Sequence, residues 1–261
     1  MKAVAVLLIA WAPVCFGQSS TVMNDSGCGD AILLTGESYD FSSTTAGGHG
    51  GAVDWLHCAS SRWSTSAGLA AYSVADTRWQ VGKAGATFRY WPDLTAYASV
   101  TAGAGDSGSR GFNYFSSSEG VIVKVEDGIY LKTEHQYFDI DSLHGNLIKI
   151  GLQVQLAPAA SFELIAGRSI GGNLKSEYGG GRLDVETGKG RVFVGAATGR
   201  FAPRVFDVAT GVRLPDSISR QWYGGASIPL GGIDVIVAYD SQTVENVRRQ
   251  TLTTALKFPF K

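Results

Sequence analysis

The chain has 261 residues, a mass of 27.6 kDa and a formal charge of −1. Hydrophobic residues are 44% and charged residues only 17%; this excludes both the basic excess of a nucleic-acid binder and the low hydrophobicity of a disordered chain. Beyond the first ~20 residues no run of ~18 apolar residues occurs, which excludes helical membrane spans; the 34 glycines and abundant aromatics point instead to an all-β chain.

The N-terminus reads as a targeting segment. Met1 and Lys2 give a positive start, and Ala3 to Phe16 is an apolar run. Cys15 and Gly17 place small residues at −3 and −1 of a cut before Gln18, which is the secretory pattern. The run is too short for a retained anchor helix, which needs ~20 residues. The expected organisation is a cleaved signal peptide over 1–17, a short periplasmic segment over 18–30 and a transmembrane β-barrel over 31–261.

The rest of the chain alternates with period two. In Leu147–Leu156 the residues Ile148, Ile150, Leu152, Val154 and Leu156 share one face, and Lys149, Gly151, Gln153 and Gln155 share the other. Ile129, Leu131 and Thr133 oppose Lys132, Glu134 and Gln136. Leu252, Thr254, Leu256, Phe258 and Phe260 oppose Thr253, Ala255 and Lys257. No apolar stripe of helical period persists for three turns. The expected strands are 31–41, 51–59, 63–75, 78–90, 94–103, 112–125, 129–140, 144–156, 161–170, 175–186, 190–201, 218–229, 232–241 and 249–260.

The connections alternate in character. Ser60-Ser61, Trp91-Pro92-Asp93, Glu126-Asp127-Gly128, Ala157-Pro158-Ala159, Thr187-Gly188-Lys189 and Gly231-Gly232 are tight. The interleaved set, over 42–50, 104–111, 140–143, 171–174, 202–217 and 242–248, reads as longer and more polar; Asp76-Thr77 is its short exception. Short turns at one end and long loops at the other mark an outer-membrane barrel of a Gram-negative bacterium. A sheet in lipid must close, because hydrocarbon offers no partner for free backbone groups. The fold class is therefore an all-β, closed, antiparallel transmembrane β-barrel of about 14 strands, with 12 and 16 as neighbouring counts. Trp63, Tyr90, Trp91, Tyr130, Tyr137, Trp222 and Phe260 fall near strand ends, where interface girdles belong.

Strand parity assigns inward charge. Lys124, Lys132, Glu134, Lys149 and Glu163 oppose the lipid-facing apolar sets and should line the lumen. Lys83, Arg89 and Arg168 are added as lining residues that need a bulge or a rim position: Lys83 and Arg89 share parity with Trp79 and Val81, and Arg168 has the opposite parity to Glu163. Similar reasoning adds Lys175, Glu177, Arg182, Asp184, Arg191 and Asp234. Such charges belong inside, because charge on the lipid face is costly.

Four histidines could serve a barrel hydrolase, which needs a Ser or Thr nucleophile, a His base and a third group that orients the base. The local candidates are His57, in His57-Cys58-Ala59-Ser60, and His135. Glu134 cannot orient His135, because adjacent strand residues face opposite ways. His49 and His144 lie in or beside extracellular loops, and a metal site there would need two more ligands. No Walker loop, GxSxG, CxxC or HExxH occurs. No catalytic, cofactor or metal residue is assigned. Cys28 and Cys58 fall at the periplasmic end of neighbouring strands, where an oxidising compartment would let them form a disulfide.

Several segments resemble the YaiO family of bacterial outer-membrane β-barrel proteins. Leu34-Thr35-Gly36-Glu37-Ser38-Tyr39-Asp40-Phe41-Ser42 looks like its opening strand. Glu134 to Asp141, followed by Gly145 and the strand to Leu156, looks like its mid-barrel hairpin. Phe258-Pro259-Phe260 is similar to its closing strand, with Lys261 after the aromatic. The resemblance implies outer-membrane lipid as surroundings, a monomeric barrel, and contact with the barrel assembly machinery through the strand ending at Phe260. Periplasmic or export partners would fit, and it implies no established reaction. The resulting reading is a pore or an uptake or export path for small or saccharide solutes. A barrel enzyme acting on lipid or protein at the cell surface, and a secreted soluble β-sandwich binding module, are the alternatives.

Overall fold

The computed structural model describes residues 29–42, 47–74, 77–108, 110–140, 143–173, 175–188, 190–201, 219–244 and 247–260. The expected signal peptide and most of the segment 18–30 lie outside them. The described residues form fourteen strands and no helix. They are β1 (Asp30–Phe41), β2 (Gly48–Ser60), β3 (Trp63–Val74), β4 (Thr77–Trp91), β5 (Leu94–Ser107), β6 (Arg110–Glu126) and β7 (Ile129–Ile140). They continue as β8 (Leu143–Ala157), β9 (Ala160–Gly172), β10 (Glu177–Thr187), β11 (Gly190–Arg200), β12 (Ser219–Leu230), β13 (Ile233–Val244) and β14 (Val247–Phe260).

Each strand pairs antiparallel with its sequence neighbours, and β1 pairs with β14 from Asp30↔Phe260 to Phe41↔Arg249, which closes the barrel. Every edge is thereby satisfied, as a sheet in hydrocarbon requires. The tight turns lie where the sequence places them. Gly128 adopts φ 79°, a left-handed conformation that glycine takes without steric cost, in the turn between β6 and β7.

The opposite set of connections corrects the reading of longer, more polar loops with Asp76-Thr77 as their one short exception. The strands run further than expected, so few residues separate β5 from β6, β7 from β8 and β13 from β14. The longer connections that remain are 42–47, 173–176 and 201–218. The ladder extends because glycines, small residues and alternation continue through 104–107 and 242–244, and polarity alone does not end a strand.

The outer face is apolar and exposed. Leu69, Val125, Ile150, Leu164, Val194 and Leu256 all point outward into the surroundings. Water does not tolerate so large a contiguous apolar belt, and lipid does. Aromatic clusters flank it. At the periplasmic end Trp63, Phe88, Tyr90 and Trp91 form a chain of ring contacts. Toward the other end stand the pairs Phe115–Tyr137 and Trp222–Tyr239. Tyr130 departs from the expected girdle: its register partners are Lys124 and Gln153, so it lies on the inner face.

Many glycines are explained by these inner faces. Tyr72, Phe112, Tyr97, Tyr178, Tyr223 and Phe193 lie across Gly50, Gly105, Gly120, Gly167, Gly195 and Gly225, their register partners on neighbouring strands. A Cβ on any of these glycines would fall 2.1–2.6 Å from the ring. The rings thus lie flat along the wall, and the absence of a side chain makes room for them.

Candidate functional site: the barrel lumen

The lumen is layered. Near the extracellular end, Tyr39, Tyr72, Val74, Trp79, Val81, Phe112, Phe138 and Ile140 pack together into one buried apolar cluster, with Phe41 and Tyr114 against it. The Tyr72 and Trp79 rings stack at 5.1 Å. Leu147, Tyr178, Ala197 and Phe201 form a second cluster at the same end, with Ile165 against it. Val74 and Ile140 are 1% and 0% exposed, so the wall at these positions is closed to solvent.

Below these clusters runs an ion-paired belt. Lys83 meets Asp54 at 2.7 Å, Lys132 meets Glu163 at 2.6 Å and Lys149 meets Glu134 at 2.6 Å. Glu134 also accepts the Tyr97 hydroxyl at 2.8 Å. Arg182 and Arg191 share Asp184 at 2.8 and 2.6 Å, and the Arg182 guanidinium lies 4.3 Å from the centre of the Phe193 ring. Higher up, Gln221 donates to Asp240, and Arg249 donates to Gln242. Each of these charges is withdrawn from bulk water and meets an opposite charge or a hydrogen-bonding partner.

The structure sorts the residues expected to line the lumen. Lys132, Glu134, Lys149 and Glu163 face inward in that belt. Lys83 faces inward too, but without the bulge expected for it. It shares its face with Trp79 and Val81 because all three point into the lumen, the aromatic end of which is apolar. Arg89 lies on the same face toward the periplasmic end. Lys124 reaches out of the barrel end to Asp127, 2.6 Å away in the periplasmic turn, and Asp93. That lysine holds the Asp127 carboxyl below its ordinary range. Arg182, Asp184, Arg191 and Asp234 lie on the inner face. Arg168 is a correction: it is exposed on the outer face, where it pairs in register with Ile148 and Glu177, because no bulge turns it inward. Glu177 is outward as well, and Lys175 precedes the strand.

The histidines are placed apart. His57 stacks on Trp55 at 5.2 Å and bonds Asp30 at 3.0 Å, on the outer face at the periplasmic end. Ser60 accepts from the Arg62 and Trp63 backbone N–H groups and shapes the turn. His135 lies on the outer face of β7. Its Nδ1 is 2.6 Å from Glu119 on β6 and its Nε2 is 2.9 Å from Asn146 on β8. Glu119 is the orienting carboxylate that sequence spacing missed, because only the β6–β7 register sets it opposite His135. Both ring nitrogens are engaged in these contacts. His49 and His144 are exposed at the extracellular end. Among the described residues no group of three or more His, Cys, Asp or Glu could hold a metal ion. Cys58 is disulfide-bonded, and Cys28 lies outside the described residues.

Solved structures share this architecture. The monoaromatic hydrocarbon channel CymD superposes with a TM-score of 0.64 at 9% identity over 88% of each chain. The likeness is one of fold. The Pseudomonas putida toluene transporter TodX gives 0.61 at 9% identity over 90% of each chain, and the Ralstonia pickettii toluene transporter TbuX gives 0.59 at 11% over 90% of each. No protein-family model and no curated protein matches the chain.

Proposed function

We propose that the chain is an outer-membrane channel for small, mainly apolar solutes. The observation that carries this reading is the two buried apolar clusters on the lumen wall near the extracellular end of β1–β4, β6–β8, β10 and β11, above the ion-paired belt; over β12–β14 the same end is polar. An aromatic or aliphatic molecule that enters along those clusters gains apolar contact area, while a hydrated ion there loses water without compensation. The secretory start and the apolar outer belt support the location. The shared fold with CymD, TodX and TbuX, a hydrocarbon channel and two toluene transporters, supports the solute class. The YaiO-like segments fall on β1, the β7–β8 hairpin and β14, which fits the same setting.

The test is uptake of radiolabelled toluene by Gram-negative cells with and without the chain, alongside conductance of the folded protein in planar bilayers. Faster uptake with low ionic conductance is the expected result. Equal uptake together with a large steady conductance, shifted in ion selectivity by substitution of Lys132 or Lys149, would instead describe a water-filled pore and overturn the apolar route.

A further inference from the structure

The inner face of β12–β14 near the extracellular end is polar, in contrast to the apolar clusters on either side of it. Gln221 on β12, Gln242 on β13 and Arg249 on β14 are register partners, and Tyr223, Asp240 and Thr251 are partners in the next inward-facing row toward the periplasm. Side chains of this face bond to one another. Gln221 donates through Nε2 to Asp240, Arg249 donates to Gln242, and Gln242 donates to Ser219 at 3.2 Å. Two atoms are left over. Gln221 is 2% and Thr251 4% exposed, yet Gln221 Oε1 and Thr251 Oγ1 have no hydrogen-bond partner. Both residues flank the Asp240 carboxylate, Gln221 through its hydrogen bond and Thr251 as the register partner on β14.

A buried polar atom without a partner is costly, and this pair defines the chemistry that relieves the cost. The amide oxygen only accepts, whereas the hydroxyl donates or accepts. A cation is disfavoured by the Arg249 guanidinium, 3.8 Å from Asp240, and an anion by Asp240 itself. A neutral hydroxyl fits both atoms, because it donates to Gln221 Oε1 and accepts from Thr251. The flanks are aromatic. Thr251 pairs in register with Tyr39 of the large apolar cluster, and Asp240 pairs with Tyr223, which packs with Phe193 and Ala238. Apolar surface thus borders the polar pair on both sides.

We propose that this wall gives the channel a subsite for a small aromatic solute with one neutral hydroxyl, a phenol, whose hydroxyl is held by Gln221 and Thr251 and whose ring lies against the flanking aromatic side chains. The inference deepens, and rests on, the reading of the chain as a channel for mainly apolar solutes. Both atoms are covered, so the neighbouring side chains move aside as the solute enters, and its hydroxyl becomes the partner of each. A site built to bond a hydroxyl discriminates against the analogue that lacks it. The test compares p-cresol with p-xylene, which carries a methyl group in place of the hydroxyl. Each competes with chain-dependent uptake of radiolabelled toluene, with cells lacking the chain as background.

p-Cresol is expected to halve that uptake at about one-tenth of the concentration that p-xylene needs. This is the reverse of the order an apolar wall gives, where a hydroxyl loses water without a partner. Thr251→Val removes a hydroxyl that has no hydrogen-bond partner and keeps the side-chain shape. Its barrel is expected to fold, as read from the heat-modifiable band, while the preference for p-cresol falls toward parity; Thr251→Ser should keep the preference. Equal or weaker competition by p-cresol in the parent chain overturns the subsite whether or not the variant folds, as does an undiminished preference in folded Thr251→Val. Absence of chain-dependent toluene uptake overturns the channel reading and the subsite with it.

Discussion

The Tyr97 hydroxyl on β5 donates to the Glu134 carboxylate on β7 at 2.8 Å, reaching over the strand between them. Tyr97, Gly120, Glu134 and Lys149 are successive register partners on β5, β6, β7 and β8. The ring passes over Gly120, where a Cβ would lie 2.5 Å from the hydroxyl oxygen. Gly120→Ala is therefore expected to lift the ring and break the bond to Glu134. Overpacking of this kind costs ~1–3 kcal/mol, to be read as a lower urea midpoint for loss of the heat-modifiable band.

Lys149 and Glu134 are both buried, at 6% and 8% exposure. Removing one partner strands the other charge. Glu134→Gln or Lys149→Met alone is expected to destabilise the barrel by ~3–5 kcal/mol, and the double variant by clearly less than the sum. Equilibrium unfolding of the four proteins of this cycle measures the coupling.

Tyr72 and Trp79 stack in the apolar end of the lumen. Replacing both by Ala removes two rings that solvent does not reach. Ionic conductance in planar bilayers is expected to rise several-fold over the parent, while selectivity for apolar solutes falls. Unchanged conductance would place the constriction elsewhere.

Asp127 lies in the periplasmic turn, where the Lys124 ammonium, hydrogen-bonding at 2.6 Å, lowers its carboxyl from an ordinary value of 3.8. A depressed carboxylate contributes stability above its unfolded value, and that contribution disappears as pH falls through the folded one. The turn is open to solvent, so the effect is small. Thermal scans between pH 6 and pH 2 should show a slightly shallower acid loss for Asp127→Asn than for the parent.

Cys58 is disulfide-bonded, and Cys28, which precedes β1, is its expected partner. Mature, unreduced protein should show no reactive thiol under denaturing conditions. Two reactive thiols would exclude the bond. Cys28→Ser should leave a single free thiol and lower the unfolding midpoint, since closing the loop between the two residues restricts the unfolded chain.

Strand number, closure and the polar face of β7, β8 and β14 were legible in the sequence, because strict alternation of charged with aliphatic residues has one physical solution in lipid. Lys149 between Ile148 and Ile150 can only point inward. Alternation fails where the lumen itself is apolar. On β4, Trp79 and Val81 resemble a lipid face, yet they point inward beside Lys83, and only packing against Tyr72 and Phe112 reveals it. Loop length failed for a related reason: ladder pairing, set by the neighbouring strand, carried β5 and β13 past the polar residues that seemed to end them. The contact between Glu119 and His135, sixteen residues apart, depends on the register of β6 against β7. The local sequence determines that a residue lies on one of two faces; the closed ladder decides which face it is and which side chains meet on it, because register is a property of the pair of strands.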